Sequence, residues 1–219
     1  MSKPLSDESV LGLQRLYASA GFMPGALDGI WGPKTEAASR EWDAEYRRIR
    51  DLRGELDSRS ERCIVTLLPV FQDPLREFLA GLDYPELLKG GKVKVLSGTR
   101  SYKEQNELYA QGRARGGKRV TNARGGQSNH NFGIACDLGF FDKLGAYITE
   151  KHPDFPVYAE AGKVAASAVH LTWGGTWKSF PDLPHYQLNA GLELEDLRAR
   201  FEAGVPLRVD RRGRALVVA

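Results

Sequence analysis

The hydrophobic positions near the start of the chain repeat at helical spacing. Val10, Leu13, Tyr17 and Ala20 fall on one face, and Gly21 follows as a stop. Asp28-Gly29 is a turn dipeptide, and Gly32-Pro33 opens the next helix with proline at its first position. Trp42, Tyr46 and Ile49 then share a face. Two or three short helices around a small aromatic core follow, with both Trp31 and Trp42 expected inside it. The run from Arg47 to Arg62 is dense in charge and reads as a solvated helical connector. It places a boundary near residues 52–60, dividing the chain into a helical domain over 1–55 and a second domain over 56–219.

Beyond that boundary the pattern changes period. Residues 61–82 read as helical, with Pro69 and Pro74 breaking or restarting the run. KVKVLSG alternates as a strand from Lys92. Ser101 and Glu104 stand at capping-box spacing, ahead of a helix reaching towards Gly112. Residues 112–127 form a Gly-rich basic loop that lacks the Gly-Lys-Ser/Thr step of a phosphate loop. GIACDLGFF reads as a buried strand, residues 154–168 contain a helix, and VHLTWGG and HYQLN read as two more strands. A helix over 193–203 and a polar tail finish the chain. Strands separated by loops and scattered helices, without regular βαβ alternation, predict an α+β fold with a small, largely antiparallel sheet.

Composition narrows the function. The chain has 219 residues, 42% hydrophobic and 27% charged, an ordinary globular balance. A net charge of +3 is too mild to indicate nucleic acid, although it would draw the protein weakly to an anionic surface such as a bacterial wall. Cys63 and Cys136 are too few for a disulfide framework and read as small buried thiols. The first residues lack the apolar run of a signal peptide, and no stretch approaches the ~20 apolar residues of a membrane span. A soluble chain made in the cytoplasm, not inserted in a membrane and monomeric, is expected.

Two short stretches carry candidate chemistry. SNHNFGIACD puts His130 and Asp137 at the ends of an apolar run, with Gly133 allowing a sharp turn before the strand. Such a pair could supply two ligands of a zinc site, which in its catalytic form takes three protein ligands and leaves a position for water. The same spacing also occurs in loops that bind nothing. The second stretch sets Asp182 three residues before His185, stiffened by Pro181 and Pro184. There His185 can offer a ligand and Asp182 a base. If Asp182 were a ligand too, the site would be closed and structural. An unligated Asp182 suits hydrolysis, in which a carboxylate takes the proton of an attacking water.

Ser128-x-His130-x-x-Gly133-x-Ala135-x-Asp137, followed by Asp182-x-x-His185, resembles the motif of the zinc D-Ala-D-Ala metallopeptidase family. SGTRSYKEQNELYAQGR and WGGTWKSFPDLPHYQ resemble its L-alanyl-D-glutamate endopeptidase branch, which includes bacteriophage endolysins. The likeness runs over roughly residues 60–190. LQRLY and LDGIWGPKT resemble the small helical peptidoglycan-binding domain. The resemblance implies a Zn2+ ion held by His130, Asp137 and His185, with Asp182 as general base. It places Arg100 near the substrate carbonyl, where a fixed fork of donors suits an oxyanion or a carboxylate. Gln105 and Ser128 take supporting roles in substrate binding. The implied substrate is the L-Ala–D-Glu bond of bacterial peptidoglycan, and the implied setting is a host cytoplasm from which a phage-type lysin is released to the wall. Relatives that are dipeptidases or carboxypeptidases carry Glu where this chain has Asp182, which agrees with the endolysin branch. A D-Ala-D-Ala carboxypeptidase on the same scaffold and a non-catalytic zinc-bearing wall-binding protein are the alternatives.

Other polar residues have plainer readings. His152 is expected in a solvated loop, and His170 on a strand facing water or a neighbour. Trp173 and Trp177 are packing residues first and cleft walls second. Cys136 should face away from Asp137, because neighbouring strand residues point to opposite faces.

Overall fold

The computed structural model describes residues 5–82, 85–167 and 171–208. Helix α1 (Asp7–Ser19) is capped by the Ser6 side chain, and α2 (Pro33–Arg53) starts with its proline in the first turn. The loop between them is organised by the buried Gln14. Its Nε2 donates to Asp28 Oδ1, the Ile30 carbonyl and Thr35 Oγ1, while its Oε1 accepts from the Asp28 and Gly29 amides. Trp42 is buried as expected, but Trp31 is not: it is 39% exposed beside the exposed Ile30. Its indole N–H is satisfied at the surface, where it donates to Glu36 at 2.8 Å.

Most of the charged connector is exposed, as expected, with buried exceptions at Ile49, Ser60 and Glu61. Helix α2 ends at Gly54, whose φ of 96° suits glycine, and α3 (Ser58–Ile64) begins on an Asp57 cap. Within this stretch Ile49 is buried, and Glu61 meets Arg76 of α4 (Pro69–Leu82) in a buried ion pair. Arg76 Nη1 donates to Glu61 Oε1 at 2.9 Å and to the Gly54 carbonyl at 2.9 Å, and Tyr46 Oη donates to Glu61 Oε2 at 2.7 Å. The buried exceptions tie the helices together, while most of the run lies at the surface. Pro69 starts α4, whereas Pro74 sits inside it without breaking it. That proline forfeits one backbone bond, but Phe71, Leu75, Phe78, Leu79 and Leu82 hold the helix against the core.

A short helix α5 (Pro85–Leu88) leads to β1 (Lys92–Ser97). Helix α6 (Tyr102–Ala110) carries the capping box of Ser101 and Glu104 and stops two residues before Gly112. Then come β2 (Ala135–Phe141), α7 (Val157–Ser167), β3 (Leu171–Trp173), β4 (His185–Leu188) and α8 (Leu194–Ala203). The four strands form an antiparallel sheet in the order β1-β2-β4-β3, so the fold is α+β. His170 and residues 209–219 of the polar tail lie outside the described residues.

One apolar cluster runs through the molecule. It contains Leu16, Tyr17, Ala38 and Trp42 of the first two helices together with Ile64, Leu68, Phe71, Phe132, Ile134 and Leu138. Trp42 also donates its indole N–H to the Val65 carbonyl at 2.8 Å. Helix α8 returns against α1, and Phe201 packs on Phe132. Among the described residues no helix is long and apolar enough to cross a bilayer.

Candidate active site

Sheet register builds the site. A register shift between Val95 and Ser97 sets Ser97 opposite Asp137, and Asp137 lies opposite His185. Residues opposed across an antiparallel ladder share a face, so Ser97, Asp137 and His185 form one row. Cys136 points the other way, fully buried in the core; both cysteines are free, and Cys63 is half-buried. His130 arrives from a different direction, on a short 3₁₀ turn (Asn129–Phe132) that Ser128 caps and Gly133 closes at φ 71°. Its carbonyl accepts from the Arg100 amide at 3.0 Å, which ties this turn to the end of β1.

The row and the turn bring three donor atoms together. His130 Nε2 lies 3.2 Å from Asp137 Oδ1 and 3.2 Å from His185 Nδ1, and His185 Nδ1 lies 3.5 Å from Asp137 Oδ1. His130 Nδ1 stands 2.8 Å from the Gly98 carbonyl, which can only accept, so that nitrogen carries the proton and Nε2 presents a lone pair. Burial pushes His130 below its ordinary value, although Asp137 pulls the other way. Burial alone would raise the Asp137 carboxyl, but His130, His185 and Arg100 outweigh it and hold it well below the usual carboxylate range. Buried lone pairs that converge at this distance repel one another unless a cation sits among them. For ligand bonds of the length zinc makes to nitrogen and oxygen, tetrahedral neighbours stand about 3.3–3.4 Å apart. The donor set therefore fits zinc.

Asp182 and Arg100 flank the triad in a cleft of about 680 Å3, a size typical of small-molecule sites. Burial, and after it the charge of Asp137, raises the Asp182 carboxyl above its ordinary value. Its backbone is held by the Gly174 carbonyl, which accepts from the Asp182 amide at 3.0 Å. Arg100 is anchored by Nε to Ser97 Oγ at 3.1 Å and by Nη2 to Asp137 Oδ2. Asp137 thus uses one oxygen towards the histidines and the other towards the arginine.

The remaining expected residues separate. Ser128 lines the cleft. Gln105 does not: it is buried behind the wall, where its Nε2 donates to the Ala123 carbonyl at 2.9 Å. It braces the segment Val120–Ala123, which does line the cleft. The basic loop is held in place as well, with Arg113 stacked on Tyr109 at 3.9 Å and bonded to the Thr121 carbonyl at 3.0 Å. Trp173 packs structurally, its indole donating to the Leu183 carbonyl at 2.8 Å, whereas Trp177 lies over His185 with ring centroids 4.9 Å apart. His152 is not simply solvated: it sits between Asp142 Oδ2 at 3.3 Å and the Asp154 amide at 3.1 Å, away from the triad.

Sequence reasoning missed Gln187, which touches His185, and Asn129, which bonds to Gln187, as well as Tyr147 and Phe180, which line the cleft while half exposed. Gln187 follows His185 by two in a strand and so had to share its face. That spacing was the available signal for it. The aromatics come from irregular segments, where no period indicates a direction.

Comparison with known proteins adds to this geometry. Residues 121–188 match the M15 peptidase family model described as D-alanyl-D-alanine carboxypeptidase. The chain is 40% identical over 104 residues to the peptidoglycan L-alanyl-D-glutamate endopeptidase CwlK of Bacillus subtilis (strain 168), covering 46% of this chain and 62% of that protein. The chain thus spans less than two thirds of this relative's length. The crystal structure of the Serratia marcescens L-Ala D-Glu endopeptidase ChiX aligns with a TM-score of 0.44 at 24% identity, over 61% of this chain and 89% of that one. The matched segment, 121–188, is the one that carries His130, Asp137, Asp182 and His185.

Proposed function

We propose that this protein is a zinc-dependent peptidoglycan endopeptidase that hydrolyses the L-Ala–D-Glu bond of the stem peptide. The observation that carries the reading is the convergence of His130 Nε2, Asp137 Oδ1 and His185 Nδ1 in one cleft with a carboxylate of raised affinity for protons, Asp182. The likeness to CwlK supports the choice of bond.

His130, Asp137 and His185 would hold the ion, which when bound would supply a Lewis acid and acidify a water molecule. Asp182 takes the proton of the attacking water and hands it to the leaving amine of D-Glu. Its raised proton affinity suits both transfers, because an acid–base group works best near the operating pH. Arg100 has used two of its five N–H groups on Ser97 and Asp137, and this fixes its plane. Its remaining donors meet the oxygen on which negative charge develops. Trp177, Tyr147 and Phe180 supply apolar walls for the peptide.

Residues 5–55 hold the enzyme on the wall, and the biological setting is a phage-type lysin that stays in the host cytoplasm until its release. The protein works as a monomer.

Substituting Asp182→Asn tests the chemistry. The variant is expected to keep its zinc and to lose roughly 10²–10⁴-fold in rate on purified peptidoglycan. Full activity in the variant would remove Asp182 as base. Product analysis tests the bond. New N-terminal D-Glu is expected, whereas release of free D-Ala alone would move the assignment to a D-Ala-D-Ala carboxypeptidase, the activity in the description of the matching family model.

A further inference from the structure

His130 and His185 face the metal position with different nitrogens, and something must fix each tautomer. For His130 it is the Gly98 carbonyl. For His185 the facing nitrogen is Nδ1, and its Nε2 lies 3.0 Å from Gln187 Oε1. That same oxygen accepts from Asn129 Nδ2 at 2.8 Å. An amide can turn either way, so Gln187 alone would not determine which atom His185 meets. The two orientations have opposite consequences. With oxygen presented, His185 must carry its proton on Nε2 and leaves Nδ1 bare for a metal. With nitrogen presented, the proton moves to Nδ1 and faces His130 Nε2, 3.2 Å away, which closes the triad to a cation.

Resting on the proposed zinc site, we propose that Asn129 and Gln187 form a positioning pair that sets the His185 tautomer and thereby the metal affinity of the triad. The register explains how the pair arises. Gln187 follows His185 on the same face of β4, and Asn129 precedes His130 on the turn, so each ligand brings one member. Asn129 Nδ2 makes the bond to Gln187, while Asn129 Oδ1 is buried without a protein partner. Neither residue offers an atom to the ion.

The test is Zn2+ affinity of the full chain by competition with a chromophoric chelator, a measurement that needs no substrate. Gln187→Leu removes the acceptor and is expected to weaken binding about 10- to 100-fold. Gln187→Glu can only accept, so it is expected to keep the parent affinity or exceed it. Asn129→Asp puts a second acceptor against Gln187, which then turns its NH2 towards His185. Binding is expected to fall at least fivefold although a negative charge has been added beside the site. If Gln187→Leu does not fold, judged by its thermal transition, the other two variants decide. Unchanged affinity in Gln187→Leu, loss in Gln187→Glu equal to that in Gln187→Leu, or tighter binding in Asn129→Asp would each overturn the pair while leaving the zinc site standing. A parent protein that binds no Zn2+ would overturn both.

Discussion

Gly133 ends the turn that delivers His130, and its φ of 71° lies where a side chain costs about 1–2 kcal/mol. A Cβ there would stand 3.0 Å from Leu16 Cδ2 and 3.1 Å from Leu68 Cγ, both in the core. The Gly133 carbonyl also accepts from the Leu68 amide at 2.8 Å, so the turn cannot shift away. Gly133→Ala is therefore expected to lose about 2–3 kcal/mol, lowering the melting temperature by roughly 4–10 °C. A melting temperature within a degree of the parent would show that the turn yields. At this scale the sequence was legible where chemistry and spacing coincide. Spacing alone does not single out His130, Asp137 and His185; the family resemblance of their two motifs does, and the fold brings their donor atoms together. Asn129 and Gln187 are ordinary polar residues until the register places them beside His185. Gln105 matched a motif position, yet burial turned its amide towards the loop backbone.

Between elements, the pair Glu61–Arg76 does what periodicity could not reveal. Charge density from Arg47 to Arg62 reads as solvent-facing, because sequence pattern records a charge and not its partner. In the fold, Glu61 accepts from Arg76, Tyr46 and the Leu56 amide. Burial alone would raise its pKa, but Arg76 and the other donors outweigh burial and hold it below 4.5. A depressed carboxyl adds stability that is fully present above the unfolded value and is lost as pH falls through the folded one. Glu61→Gln strands a buried guanidinium and is expected to cost about 3–5 kcal/mol at pH 7, with the gap to the parent narrowing below pH 4.5. Urea midpoints measured from pH 7 to pH 3 check this. A gap that stays constant across that range would mean the carboxylate's charge adds nothing to the fold. Pro74 teaches the same lesson in reverse: a local breaker is overruled when the rest of the helix face is buried.

Across the whole molecule, the sequence indicates which faces are apolar but not which faces meet. The boundary near residues 52–60 therefore reads as a linker between two cores, while the fold joins Leu16, Tyr17 and Trp42 to Ile64, Leu68 and Phe132 in one cluster. Helix α2 packs along α4, and Trp42 satisfies the Val65 carbonyl. Uncovering several such side chains, at about 1.5–3 kcal/mol each, is comparable with the 5–15 kcal/mol that holds a typical domain together. A chain starting at Glu55 is therefore expected to melt at least 10 °C lower than the parent, or to aggregate, and to lose activity on a soluble stem peptide along with wall binding. Wall binding has to be separated from stability by surface changes instead. Trp31 and Ile30 stand exposed on the α1–α2 loop, where Gln14 holds the backbone independently of them. Trp31→Ala removes a ring that is 39% exposed and otherwise covered, so the full chain is expected to melt a few degrees lower but to stay folded at assay temperature. The substitution is also expected to reduce co-sedimentation with purified peptidoglycan severalfold while leaving turnover of the soluble peptide unchanged. Undiminished sedimentation would take the wall contact away from this loop. A truncated chain that melts like the parent and still cleaves the peptide would show that the common core adds little, and that residues 5–54 act only as a tether.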